Sequence, residues 1–222
     1  MQGMDLADRK IPTHEVTYGQ LRDMVLTGRL APGQAVTIQG LIQELGAGMT
    51  PVREAIRRLT AEGALLLNGN RRVSVPNLTT DLLDEIAFAR LTIEPHIAKI
   101  ASPKLTHDII EKLAKIDAQI DLAIKANDIR SYLTGNHRFH FTIYETSGAT
   151  VLVDMAQSLW LRFGPSLCVV SARYLSGGLP DRHSEALDAM RAGDGKALAK
   201  AIHSDIAQGT EQVRLALIAG EI

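Results

Sequence analysis

From about residue 79 onward, the chain is a run of long segments with helical apolar periodicity and few internal breakers, a pattern that limits this part to helices packed on helices. The segments cover roughly 79–101, 106–126, 128–147, 149–176, 180–192 and 194–220, set apart by Pro103, Asp128, Gly148, Gly177-Gly178 and Gly193-Asp194. Aromatic residues make up only 4% of the chain, so the core must be built from Leu, Ile, Val and Ala, which suits such packing. Before residue 79 the texture differs, with short helical stretches, glycine punctuation and a hairpin pattern, and the change falls at Val75-Pro76-Asn77-Leu78-Thr79. The expected division is a tail over 1–13, a first domain over 14–76 and a second over 79–222.

In the first domain, Glu15 to Thr27 carries Val16, Leu21, Met24 and Val25 and stops at Gly28. Thr37 can cap a short helix through Leu45 that Gly46 ends. Thr50-Pro51 reads as a cap followed by proline at the first helical position, where its missing N–H costs nothing. Val52, Ala55, Ile56 and Leu59 continue that helix, and Gly63 closes it. Residues 64–67 and 72–75 flank Asn68-Gly69-Asn70 as a β-hairpin. Helix, turn, helix and hairpin in this order describe a winged helix-turn-helix, so the expected fold class is mainly α: this unit followed by an all-helical bundle of about six helices.

Charge supports a nucleic-acid partner only locally. The net charge of the chain is −1, but residues 1–78 carry nine Lys/Arg against seven Asp/Glu, and the rest carries fifteen against eighteen. Arg53 and Arg57 are four apart and share a face opposite Val52, Ile56 and Leu59. Their planar forks can bond guanine edges or phosphate oxygens of a double-stranded operator, while the helix start at Thr50 offers backbone N–H groups to a phosphate. Arg58 extends the basic face, and Arg71 and Arg72 on the hairpin would reach the minor groove or backbone. Taken alone, the helix also fits a merely solvated basic face.

The string Thr50-Pro51-Val52-Arg53-Glu54-Ala55-Ile56-Arg57-Arg58-Leu59-Thr60-Ala61-Glu62-Gly63, with Leu30-Ala31-Pro32-Gly33 before it, resembles the DNA-binding domain of the GntR family of bacterial regulators over roughly residues 14–76. The family usually has Ser and Arg just before the Thr-Pro; Gly48 and Met49 stand here, removing one frequent base or phosphate contact. The hairpin tip often carries Gly where this chain has Arg72. The remainder resembles the all-helical effector (FCD) domain of the FadR-like branch, on Arg90-Leu91-Thr92-Ile93-Glu94-Pro95, on Asn136-His137-Arg138-Phe139-His140 followed by Ser147-Gly148, and on His183-Ser184-Glu185-Ala186-Leu187 before Gly193-Asp194. That resemblance implies a divalent metal inside a helical barrel, held by an Asp or Asn, a His one turn later, and two more His on the last two helices.

Helical geometry sorts the candidates. Asn136 and His140 are four apart on the stripe of Leu133, and His183 shares its stripe with Ala186, Leu187 and Met190. On the last segment the inward stripe runs Leu198, Ile202, Asp205, Ile206, Gly209 and Val213; counted from Gly193-Asp194, the family's final His falls at Asp205, and His203 lies off the stripe. The expected ligands are Asn136, His140, His183 and Asp205, for a divalent ion such as Zn, Ni, Mn or Fe. The alternative is a set of buried polar groups bonded to one another without metal. Arg90 lies seven residues from both Leu83 and Ile97 with Glu94 one turn on, so it either forms a buried ion pair or forks the carboxylate of an effector; the resemblance puts this Arg near the effector cavity.

The combined expectation is a ligand-responsive repressor, homodimeric because one winged domain buries too little surface for a tight specific complex, and sensing a small carboxylate. A metal-dependent enzyme with a 2-His-1-carboxylate site fused to a DNA-binding domain is the alternative, but no base or nucleophile motif accompanies the set, and the expectation is no enzyme. No run reaches the roughly 18 apolar residues of a membrane span, and the first residues lack the apolar stretch of a secretory signal. Cys168 is the only cysteine, which rules out an internal disulfide and points to a reducing cytoplasm. Trp160, Phe163 and Cys168 read as core, and His14, His96, His107 and His137 receive no role.

Overall fold

The computed structural model of the chain describes residues 13–68, 72–174 and 180–221. The N-terminal part comprises α1 (Thr13–Leu26), β1 (Ala35–Thr37), α2 (Ile38–Leu45), α3 (Met49–Ala61), β2 (Leu66–Asn68) and β3 (Arg72–Ser74). Thr37 caps α2 by accepting from the Gly40 N–H at 3.0 Å, and Gly46, at φ 58°, closes it in the left-handed region that glycine enters without penalty. The helix α3 starts earlier than expected: Gly48, not Thr50, is its N-cap, and the Val52 N–H already bonds the Gly48 carbonyl at 3.3 Å. Pro51 permits this because the first-turn N–H groups of a helix have no intrahelical partner, so proline fits at the third position as well as the first. The hairpin forms, and β1, absent from the sequence reading, pairs antiparallel with β3 through Val36 and Val73, giving the sheet order β1-β3-β2. Leu21, Val25, Leu41, Val52, Ile56 and Leu59 bury the apolar faces of α1, α2 and α3 against one another.

The C-terminal part contains α4 (Thr80–Ala101), α5 (His107–Lys125), α6 (Ile129–Thr146), α7 (Thr150–Tyr174), α8 (Arg182–Arg191) and α9 (Gly195–Ile218). Five of these helices begin at a side chain that accepts from the first turn: Thr79, Thr106, Asp128, Asp181 and Asp194. Leu83 and Ile97 of α4, Leu113 of α5, Phe139 and Ile143 of α6, and Leu198 and Val213 of α9 form a fully buried interior. No described helix is long and apolar enough to cross a membrane.

The helix α7 joins the two parts. Ser158 Oγ and Arg162 Nε donate to the Glu62 carbonyl at 3.0 and 3.2 Å, gripping the end of α3, and Cys168 Sγ reaches the Thr27 carbonyl at 3.6 Å. Gly164 lies so near α1 that a Cβ there would stand 3.3 Å from the Leu26 carbonyl oxygen.

Candidate metal centre and nucleic-acid interface

Three helices bring the metal candidates together. His140 of α6 is fully buried, His183 of α8 nearly so, and Asp205 of α9 reaches them with its side chain 19% exposed. His140 Nε2 is 3.1 Å from Asp205 Oδ2 and 3.4 Å from His183 Nε2, and His183 Nε2 is 4.0 Å from Asp205 Oδ1. One ligand atom from each lies within 4.8 Å of the others. For a metal with bonds of about 2.0–2.2 Å, ligand atoms stand roughly 3–3.5 Å apart, which the two His140 spacings meet and the His183–Asp205 spacing exceeds. Asn136 is buried one turn before His140, has no hydrogen-bond partner for its side chain among the described residues, and lines the same small cavity as Asp205. His203 is exposed.

The outer hydrogen bonds decide what these atoms can do. Tyr144 donates its hydroxyl proton to Glu94 Oε2 at 2.7 Å, so at 3.0 Å from His140 Nδ1 its oxygen must accept from the imidazole N–H. His183 Nδ1 stands 3.2 Å from Asp117 Oδ1, a carboxylate that can only accept. Both neutral rings thereby carry their proton on Nδ1 and turn bare Nε2 lone pairs toward each other and toward Asp205. Burial pushes the His140 imidazole below its ordinary pKa, toward the neutral form. Burial would raise Asp205, but when protons occupy the Nε2 positions the hydrogen bond from His140 and the charges of His140 and His183, with that of Arg90, outweigh it and hold the carboxyl at about 2. Burial would lower His183, yet the bond to Asp117 and the charges of Asp205, Asp117 and Asp181 move it upward. With both rings neutral, three acceptors converge, and the arrangement calls for a cation, either a proton on one Nε2 or a metal ion.

Arg90 lies beside this centre, 3% exposed, with Nε 2.6 Å and Nη2 3.3 Å from the two oxygens of Glu94. Its guanidinium sits 4.6 Å from the ring centroids of both Trp160 and Phe163. Glu94 also accepts from Trp160 Nε1 at 2.9 Å. Of the two readings for Arg90, the buried ion pair is therefore present, and Arg90 also lines the cavity next to Asn136 and Asp205. That cavity measures about 20 Å³, room for about one water. Asp117, the role of Tyr144 and the Trp160–Glu94 bond are absent from the sequence reading. Asp117 had a signal, a lone acid on the apolar stripe Ile110, Leu113, Ile120 of α5.

On the opposite part of the molecule, Thr50, Arg53 and Arg57 are exposed along the start of α3. Arg57 bonds Glu54 at 2.7 Å in solvent, and Arg53 makes no ion pair among the described residues. Arg58 departs from this face: it lies 3.7 Å over the Tyr18 ring, with Nε 3.2 Å from Glu62 and Nη1 3.3 Å from Glu15, tying α3 to α1. Arg72 is exposed on β3, and Arg71 lies outside the described residues.

Comparison with known proteins matches two family models, "Bacterial regulatory proteins, gntR family" over residues 13–75 and "FCD domain" over residues 85–208. The chain is similar to the HTH-type transcriptional regulator McbR of Escherichia coli K12, at 31% identity over 147 residues, which is 66% of each chain and so just short of two thirds of McbR's length. It is also similar to the HTH-type transcriptional repressor RspR of the same organism, at 21% over 210 residues, 91% of this chain and 90% of RspR. The solved structure of E. coli McbR/YncC superimposes with a TM-score of 0.82 at 24% identity, over 95% of this chain and 99% of that one, which shows the shared fold. The families and relatives named are regulators, not enzymes.

Proposed function

Because the chain belongs to the GntR family of bacterial regulatory proteins and carries an FCD domain in its C-terminal part, we propose that it is a homodimeric transcriptional repressor of the cytoplasm, whose affinity for operator DNA responds to a small carboxylate bound in a metal-containing helical cavity. The observation that supports the sensing half is the convergence of His140 Nε2, His183 Nε2 and Asp205 in one buried cluster. Those three residues would hold a divalent ion, with Asn136 at hand. The ion supplies Lewis-acid attraction for a carboxylate. Arg90 contributes charge to the cavity wall while its Nε and Nη2 stay on Glu94. Thr50, Arg53, Arg57 and the hairpin arginines would face the operator, and a coupling of about 1–3 kcal/mol between the two sites is ordinary for such regulators.

Metal content and DNA affinity, measured on the same variants, test the proposal. His140→Ala and His183→Ala should each abolish binding of divalent metal and leave metal-free DNA binding intact, and wild-type metal binding should weaken in acid as protons take the Nε2 positions. Arg53→Ala with Arg57→Ala should retain metal and lose operator affinity, by about 1–3 kcal/mol for each bidentate base contact. Wild-type protein that takes up none of Zn, Ni, Mn or Fe(II) at saturating concentration would refute the metal centre.

A further inference from the structure

A second cavity, of about 450 Å³, opens where α1 and α2 face α6. On α6, Arg130, Thr134 and Arg138 recur every four residues and form one wall. At 100° per residue, Thr134 and Arg138 point about 160° away from Asn136, so this wall is turned away from the metal candidates. The facing wall holds Arg22 and Asp23 of α1, together with Arg29 and Glu44.

The two walls differ in charge. On the N-terminal side each cation has its own carboxylate: Arg22 is 3.2 Å from Asp23, and Arg29 is 2.5 Å from Glu44. On the α6 side neither Arg130 nor Arg138 makes an ion pair among the described residues. Four guanidinium groups therefore line a concavity that contains two carboxylates, both already engaged. A cleft of one sign with low-dielectric walls concentrates the field and draws counter-ions, and its volume lies within the roughly 300–1,000 Å³ typical of small-molecule sites. Guanidinium forks match phosphate and carboxylate oxygens in pairs.

We propose that this junction cavity is a second ligand site, separate from the metal centre, that takes a small polyanion with at least two negative charges, a phosphorylated or polycarboxylate metabolite. Arg130 and Arg138 are its principal anchors, and the bound anion bridges the DNA-reading and sensing parts. The proposal does not depend on the metal reading.

Isothermal titration with inorganic pyrophosphate at constant ionic strength tests it. The wild type should bind one pyrophosphate per chain, and Arg130→Ser with Arg138→Ser should weaken binding about tenfold or more. Arg130→Lys with Arg138→Lys, which keeps the charge, should bind better than the serine pair and thereby separate lost charge from lost folding. His140→Ala, which would hold no metal for pyrophosphate to chelate, should bind as the wild type does. No binding by the wild type at millimolar pyrophosphate, binding lost in His140→Ala, or binding kept in the serine pair would each overturn the proposal. So would a serine pair that loses affinity for DNA of every sequence while the wild type ignores pyrophosphate, since the groove would then be a contact for the DNA backbone.

Discussion

At the scale of single residues, the two candidate metal-binding histidines owe their orientation to partners on distant helices. Asp117 is 66 positions from His183, and Glu94 is 50 from the Tyr144 that it fixes beside His140. Asp117 is a positioning residue, and its loss should show in metal affinity rather than in folding. Asp117→Ala should weaken metal binding about 10–100-fold, with Asp117→Asn intermediate because its oxygen still accepts from Nδ1, and the metal-free protein should melt within a degree or two of the wild type. Unchanged affinity in Asp117→Ala would show that packing alone orients the ring. The inward positions of His140, His183 and Asp205 were legible in the sequence because each follows from spacing along its own helix. The outer partners were not, because such pairings depend on which helices meet. Thr50 was misread as a cap for a different reason: proline is tolerated throughout a first turn, so its presence marks the turn and not the position within it.

At the scale of elements, α7 is the piece that sequence periodicity described least well. The pattern gave a helix over 149–176, but not that one side would carry Trp160 and Phe163 to the Arg90 cavity while Ser158 and Arg162 hold the end of α3. Trp160 and Phe163 read as core, and nothing in the pattern singles out Ser158 or Arg162. The strand β1 escaped because three residues are too few for an alternating pattern to register. Gly164 shows how tightly α7 is seated, since the group opposite its missing Cβ is the backbone of α1 and cannot rotate away. Gly164→Val should cost about 1–3 kcal/mol through overpacking, read as a lower urea midpoint. A midpoint equal to the wild type would mean that α1 and α7 separate without penalty. The interior proline, Pro165, sits next to this contact and removes the donor for the Leu161 carbonyl, which places a missing backbone bond of α7 beside its close approach to α1.

At the scale of the whole molecule, the two cavities differ in size: the one at the junction measures about 450 Å³, while the one beside the metal candidates has room for about one water. His140 has no exposure at all, His183 is 8% exposed, and Asp205 shows 19% of its side chain to solvent. With so little room beside the imidazoles, a hydrated divalent ion would need the surrounding helices to open, so its capture should be gated by an opening step and not by collision. Trp160, the single tryptophan, has its ring 5.1 Å from that of His140 and should report the arrival of quenching Ni(II) in stopped flow. The observed rate should level off as Ni(II) is raised, where a rate linear in concentration throughout would show an open path. The same gate retards departure. An ion held in a centre buried in this way would exchange too slowly to follow the surrounding metal concentration, so it would be acquired once and retained, a resident of the protein and not a signal for it to read.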